Sequence, residues 1–277
     1  MNAGKLGLIA GYGHFPLELA RNLARAGYEV HCVAAKEETF PEIEDYVAST
    51  TWLHVGQLGA MIKAFQRHGI KDVIMAGKVR KVHLFRNFRP DLVAVRRLLK
   101  LKDRRDDTIL LEIASLLEEQ GIRLIEQTRY AGEMLAGSGR IAGPACQACL
   151  DDMRFGFRQA KAIAGLDIGQ TVVVCDKAVM AVEAIEGTDE AIRRGGALAQ
   201  KSGAVVVKVA KPQQDFRFDV PAVGPDTLRV MHEVGCRALC IEAQKTLLIE
   251  RALFSELAES LGISVFAMSE QEANRLS

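Results

Sequence analysis

The chain has 277 residues, 49% of them hydrophobic and 26% charged, with a formal net charge of +1. This exceeds the common single-domain length and holds enough apolar residues for more than one core. The near-neutral balance gives no global reason to expect a nucleic-acid partner.

Six cysteines are too scattered for a small disulfide scaffold, so a reduced cytosolic setting with incidental buried thiols is expected. Cys146–x–x–Cys149 has no matching second pair, only the looser Cys236 and Cys240, which disfavours a four-thiolate zinc site. The start of the chain lacks a secretory leader pattern, and the apolar runs are strand-sized. These features predict a soluble protein.

In chain order, 5–10 reads as a strand, 16–26 as a helix stopped by Gly27, and 29–35 as a second strand. A helix over 58–68 stops at Gly69, and 72–76 is a third strand. A helix over 108–120 and a returning strand over 124–127 complete an alternation typical of a parallel α/β sheet. Four glycines and a proline at 131–144 mark a boundary: a Rossmann-like domain over 1–131, a linker over 132–144 and a distinct mixed α/β domain over 145–277. In the second half, 151–164 is helical and two strands flank an Asp176–Lys177 turn. Helices over 188–200, 226–234 and 254–261 then alternate with strands over 204–210, 238–241 and 263–267. Back-to-back strands predict a mixed sheet there.

Gly11 and Gly13 lie at a strand-to-helix turn, where backbone N–H groups can approach a phosphate. The dinucleotide fingerprint would put a third glycine where Pro16 stands, and a ribose-binding acid near the end of the second strand. That strand runs instead into Lys36, Glu37 and Glu38, which disfavours a nicotinamide cofactor. Lys78 follows the third strand, either to neutralise a phosphate or as a solvated loop lysine. From 80 to 105 basic residues outnumber acidic ones and interleave with Leu84, Phe85, Phe88, Leu98 and Leu99, a mixture open to nucleic acid, an anionic membrane surface or an anionic amphiphile, or to a solvated helix face beside a core stripe.

Glu186, Thr188 and Asp189 begin a helix, Thr188 as its cap; the acids either favour the helix dipole or hold a hard cation. The loop carrying Lys211, Gln214 and Asp215 and the helix start at Asp226 and Thr227 hold more acids, amides and cations than turning requires, although Asp226 by itself also suits a plain helix cap. No serine-hydrolase, zinc-protease or Walker motif is present, and the six histidines form no ligand pair at helical spacing.

The succession GLIAGYGHFP, AGKV, DIGQTVVV, AVEAIEGTDEAIRR and KVAKPQQDFRFDVPAVGPDT resembles the LpxI-type UDP-2,3-diacylglucosamine pyrophosphatases along nearly the whole chain. Lys78 departs from that pattern, where asparagine is more usual. The resemblance implies a lipid A pathway hydrolase that releases UMP and 2,3-diacylglucosamine 1-phosphate by attack of water on the α-phosphorus. It implies a divalent cation, Mg²⁺ or Mn²⁺, and Asp226 as the critical carboxylate directing the cation or the water. Glu186 and Asp189 become further candidate ligands. Gly11, Gly13, Lys78, Gln170, Thr188, Lys211, Gln214, Asp215 and Thr227 become candidate contacts to substrate. The resemblance also implies a cytoplasmic location with peripheral contact to the inner-membrane surface, and it leaves a homo-oligomer open. A nicotinamide oxidoreductase and a non-catalytic nucleotide-sugar or lipid binder are the alternatives.

Overall fold

The computed structural model describes residues 3–80, 88–99, 101, 106–200 and 203–275. Leu84 and Phe85 of the basic stretch lie outside the described residues. The chain forms two compact units: Met1–Gly132 with Asp215–Asp219, and Glu133–Gln214 with Val220–Ser277.

In the first unit, β1 (Gly4–Ala10), β2 (Tyr28–Ala35), β3 (Ser49–Leu53), β4 (Asp72–Ala76) and β5 (Arg123–Leu124) make one sheet of order β3-β2-β1-β4-β5. Every pairing in it is parallel. The chain works outward from β1 to β3 and then returns to the other side of β1 for β4, so the order reverses between β1 and β4. The helices are α1 (Phe15–Arg25), α2 (Leu58–Arg67), α3 (Leu92–Leu98) and α4 (Asp106–Glu119). Apolar residues at helical spacing explain α2: Met61, Ile62 and Phe65 pack with Val73, Leu117 and Ile122.

The first sheet holds one strand that the sequence does not announce and shortens another. β3, with the sequence STTWL, is half-buried throughout and has no apolar run to announce it. Only Arg123 and Leu124 of the expected returning strand pair with β4; Gln127 instead starts a 3-10 turn. Its side-chain Nε2 donates to the Met75 carbonyl at 2.6 Å, and its backbone N–H to the Phe216 carbonyl at 2.8 Å. Gln127 thereby seats the distant segment Asp215–Asp219, whose Phe218 is 3% exposed within the same core as Met61, Phe65 and Leu117.

The second unit has a six-stranded mixed sheet of order β6-β13-β11-β9-β7-β8. Its strands are β6 (Gly139–Ala142), β7 (Thr171–Cys175), β8 (Ala178–Val182), β9 (Val205–Lys208), β11 (Ala238–Glu242) and β13 (Ser264–Met268). β9, β11 and β13 run parallel, whereas β6 and β7 pair antiparallel with β13 and β9. Short strands β10 (Ala222–Val223) and β12 (Leu247–Leu248) pair separately. The helices are α5 (Leu150–Gly165), α6 (Thr188–Leu198), α7 (Pro225–Glu233), α8 (Arg251–Leu261) and α9 (Glu270–Ala273). Successive strand residues face opposite sides, so Val172, Val174 and Val207 join Met153 and Phe157 of α5 in one core. Val173 and Val206 join Ile192, Leu228 and Phe254 in the other. The Asp176–Lys177 hairpin turns through two left-handed residues. Buried Asp152 accepts both of their N–H groups, at 3.1 and 2.8 Å.

The glycine-rich stretch expected as a linker contains β6, which belongs to the second sheet. A four-residue edge strand among glycines carries no apolar alternation, which is why its sequence reads as a tether. Cys146 and Cys149 are not incidental thiols but a disulfide, with Cα atoms 5.3 Å apart. Cys32, Cys175, Cys236 and Cys240 are free and buried, and burial pushes the Cys236 thiol up to about 12. Among the described residues, no helix is long and apolar enough to cross a membrane.

Candidate functional site

In the first unit the loops after β1 and β4 are joined backbone to backbone. Gly11 N–H donates to the Ala76 carbonyl at 2.8 Å, Tyr12 N–H to Lys78 at 2.7 Å, and Lys78 N–H returns to Tyr12 at 3.2 Å. A Cβ on Gly11 would lie 2.7 Å from the Lys78 carbonyl oxygen. Gly77, at φ +85°, would put one 2.8 Å from both the Gly11 carbonyl carbon and the Tyr12 oxygen. These glycines are therefore needed for the approach of two loops. The N–H groups of Gly11 and Tyr12 are spent on that joint, not aimed at a phosphate as the turn alone suggests. Gly13, at φ +107°, has open space around it.

Aromatic and cationic groups collect at this joint, where an open α/β sheet reverses its strand order and ordinarily takes ligands. The Tyr12 and His14 rings lie 5.6 and 5.1 Å from Phe40. Arg80 stacks 4.0 Å over the Tyr12 ring, and the Lys78 ammonium lies 6.0 Å from its centroid. Glu38 is buried, and its carboxylate accepts from Arg80 Nε at 3.0 Å and Arg80 N–H at 3.1 Å. An acid so engaged is poorly placed to bind a ribose.

In the second unit, four candidates come together at the carboxyl end of β9. Lys208 Nζ donates to Thr188 Oγ1 at 2.9 Å, and that hydroxyl donates to Glu183 Oε1 at 2.8 Å. Glu183 accepts the Gln170 N–H at 3.4 Å, and Gln170 Nε2 donates to Gln214 Oε1 at 3.3 Å. Gln214 in turn accepts the Lys211 N–H at 3.3 Å, while Lys211 Nζ pairs with Asp167 at 2.7 Å. Gly187, not Thr188, occupies the cap position of α6, so the Thr188 hydroxyl is left to the sheet-end network.

Below this row, Glu242 at the end of β11 is 1% exposed. It accepts from Lys161 Nζ at 3.1 Å, Lys245 Nζ at 2.8 Å and Ala210 N–H at 2.9 Å. Glu183, Lys208 and Glu242 are not among the residues expected from the sequence. The available signal was a charge ending an apolar strand run, in VVVK and ALCIE, because strand ends are where such sheets present side chains.

The remaining candidates are held in other ways. Asp215 belongs to the first unit and is clasped by Arg217 Nη2 at 2.7 Å. That guanidinium holds its carboxyl below the usual range. Thr227 is buried, with its hydroxyl turned back to the Gly224 N–H at 3.5 Å. Asp226 lies in the first turn of α7, its side chain 89% exposed and paired with Arg229 at 2.6 Å. Glu186 pairs with Arg194, and its carboxyl lies below the ordinary range through a hydrogen bond to its own backbone and then through Arg194. Asp189 is exposed in the first turn of α6. Among the described residues no group of three His, Cys, Asp or Glu side chains could hold a metal ion. Glu186, Asp189 and Asp226 therefore do not form the single donor set expected of them.

Comparison with known proteins covers both halves. Residues 5–134 match the LpxI N-terminal domain and residues 138–266 the LpxI C-terminal domain. A protein of Caulobacter vibrioides named UDP-2,3-diacylglucosamine pyrophosphatase LpxI is 31% identical over 97% of this chain and 99% of its own length. Likeness to solved structures is weak. A Stenotrophomonas maltophila UDP-glucose-4-epimerase with bound NAD gives 12% identity over 43% of this chain and 34% of its own, at a TM-score of 0.29. A Campylobacter jejuni biotin carboxylase gives 12% over 71% and 42%, also at 0.29. Scores that low transfer neither fold nor ligand. Two matched domains and a relative aligned almost end to end identify the chain as a member of the LpxI family.

Proposed function

We propose that the chain hydrolyses UDP-2,3-diacylglucosamine to UMP and 2,3-diacylglucosamine 1-phosphate in lipid A biosynthesis. The observation that carries this reading is the 31% identity, over 97% of the chain, to a protein named for that activity. The reading takes the first unit as a Rossmann-like nucleotide holder. Its support is the reversal of strand order at Gly11 and Gly77, lined by Tyr12, Phe40, Lys78 and Arg80.

In the second unit, the ammonium groups of Lys208 and Lys211 offset phosphate charge. Thr188, Gln170 and Gln214 orient the phosphate oxygens. Water attacks the α-phosphorus, and the bond from phosphorus to the bridging oxygen breaks. That oxygen leaves with the sugar 1-phosphate. Asp226, exposed enough to meet substrate, directs the water. A divalent cation, Mg²⁺ or Mn²⁺, belongs to the reading and when bound would offset phosphate charge. Because the three carboxylates do not form one donor set, no step is assigned to it. The reading puts the enzyme at the cytoplasmic face of the inner membrane as a peripheral protein.

The test is release of UMP from UDP-2,3-diacylglucosamine, with Mg²⁺, with Mn²⁺ and with a chelator. The wild type releases UMP; folded Asp226→Ala loses roughly a hundredfold or more in turnover, the scale for losing one transition-state contact, while retaining substrate. No UMP from the wild type under any metal condition overturns the assignment. Near-normal hydrolysis by folded Asp226→Ala removes that residue from the mechanism.

A further inference from the structure

Helix α3 turns several of its apolar residues away from the core. Leu92 is 76% exposed, Leu99 81% and Val95 40%, at a spacing that sets all three on one face. Exposed Arg96 lies among them, and exposed Arg89 and Phe88 precede them.

The helix is not free to roll this face inward. Asp91 caps it, its Oδ1 accepting the Ala94 N–H at 3.0 Å. The other oxygen of the same carboxylate accepts the Gly59 N–H at 2.7 Å and the Ala60 N–H at 3.3 Å, at the start of α2. Ala94 is 1% exposed, and Val93 packs against the core of the first unit. Arg97 is held on the far side by Glu112, at 2.9 Å, and by Glu119 of α4. One side of a seven-residue helix is thus fixed to the fold, and the other presents leucines to the surroundings.

A patch of this kind marks a docking surface, and its charge selects the occupant. In the sequence from 80 to 105 there are ten lysines and arginines against two aspartates. Among the described residues, exposed Arg89 and Arg96 accompany these leucines, a pairing that suits the boundary between acyl chains and anionic headgroups: the leucines enter the apolar layer and the arginines stay with the phosphates. We infer that the exposed face of α3, Leu92, Val95, Arg96 and Leu99, docks the protein on an anionic lipid bilayer. This deepens the proposed function, on which it rests only for its purpose: the surface lets the enzyme meet a two-tailed substrate where that substrate resides.

The test is co-sedimentation of the full chain with vesicles, alongside a UMP-release assay on detergent-dispersed substrate. One vesicle set contains phosphatidylglycerol and phosphatidylethanolamine; the other is phosphatidylcholine alone. The wild type is expected to partition onto the anionic vesicles, less at high salt, and weakly onto neutral ones. The double variant Leu92→Ser with Leu99→Ser loses at least tenfold in partition coefficient, and Arg96→Ser about fivefold. All variants keep the wild-type melting temperature and rate on dispersed substrate.

Wild-type protein that ignores anionic vesicles, or leucine variants that bind them as well as wild type, overturn the inference. A dimer in sedimentation velocity that the leucine variants abolish, without vesicle binding, reassigns the face to contact between copies. Vesicle binding without UMP release leaves the surface standing and sinks the proposed activity; UMP release without vesicle binding does the reverse.

Discussion

Replacing Glu242 with glutamine is a sharp test of the second unit, because it changes charge and almost no volume. The carboxylate is 1% exposed and serves three donors: Lys161, Lys245 and the N–H of Ala210. The amide of glutamine offers one acceptor oxygen and turns an N–H group toward an ammonium. Removing one partner of a buried ion pair costs roughly 3–5 kcal/mol. Lys245, 38% exposed, can swing into water, and Lys161, 12% exposed, keeps its 2.9 Å bond to the Ala210 carbonyl. Both facts place the cost at the lower end, about 3 kcal/mol. At roughly 3 °C per kcal/mol for a domain of this size, the calorimetric transition of the second unit falls by about 9 °C. Lys245→Ala, which leaves Glu242 its other two donors, costs at most about 1 kcal/mol. Equal shifts in the two variants would show that Glu242 is not the centre of this network.

Gly77→Ala combines a left-handed backbone with contacts at 2.8 Å, whereas Gly69, at φ +69°, has nothing within 4 Å. Alanine at 69 should therefore cost about 1 kcal/mol and at 77 a further 1–3 kcal/mol; equal urea midpoints would contradict the close approach. Asp91→Ala removes the cap of α3 and two acceptor contacts at α2, predicting a loss of about 1–2 kcal/mol, read as faster amide exchange at Ala94, Gly59 and Ala60. His31 stacks 4.0 Å from His68, with Ser49 and Glu29 on its ring nitrogens. Burial first of all lowers its pKa, with His68 adding to that and Glu29 opposing it. The unfolded chain thus takes up a proton as pH falls below about 6.5 while the native state resists. Stability is full above that pH and declines below it, down to the lowered native pKa. The pH slope of the melting temperature should flatten in His31→Gln, and an unchanged slope would exclude His31 as its source.

What the sequence revealed and what it concealed follow from where each signal resides. Runs such as DVIMA and AVVVKVA announce strands because both faces are buried, and the glycines after α2 and α8 announce helix ends. β3 is hidden because an edge strand can be half-buried along its whole length. α3 is hidden because Leu92, Val95 and Leu99 face outward and the surrounding sequence is basic. Of the candidate site, Gln170, Thr188, Lys211 and Gln214 were legible as polar residues crowding strand ends and loops. Glu242 was not: a single acid after LCI shows its partners only when Lys161, 81 positions earlier, is folded against it. The acids of EGTDE looked like a cation site because sequence gives proximity along the chain and not the arginine, Arg194, that claims one of them.

The short return of Asp215–Asp219 bears on how the polypeptide can be cut. A fragment ending at Gly132 contains every strand of the first sheet but lacks Phe218, which is 3% exposed in its core, and the carbonyl of Phe216 that receives Gln127. The polypeptide is stitched rather than strung: it leaves the first unit, builds much of the second, and comes back for five residues before finishing. A severed amino half would carry an unfilled apolar hollow, and only a peptide spanning that excursion could plug it in trans. Translation imposes the same order, since the first core cannot close until more than two hundred residues have left the ribosome.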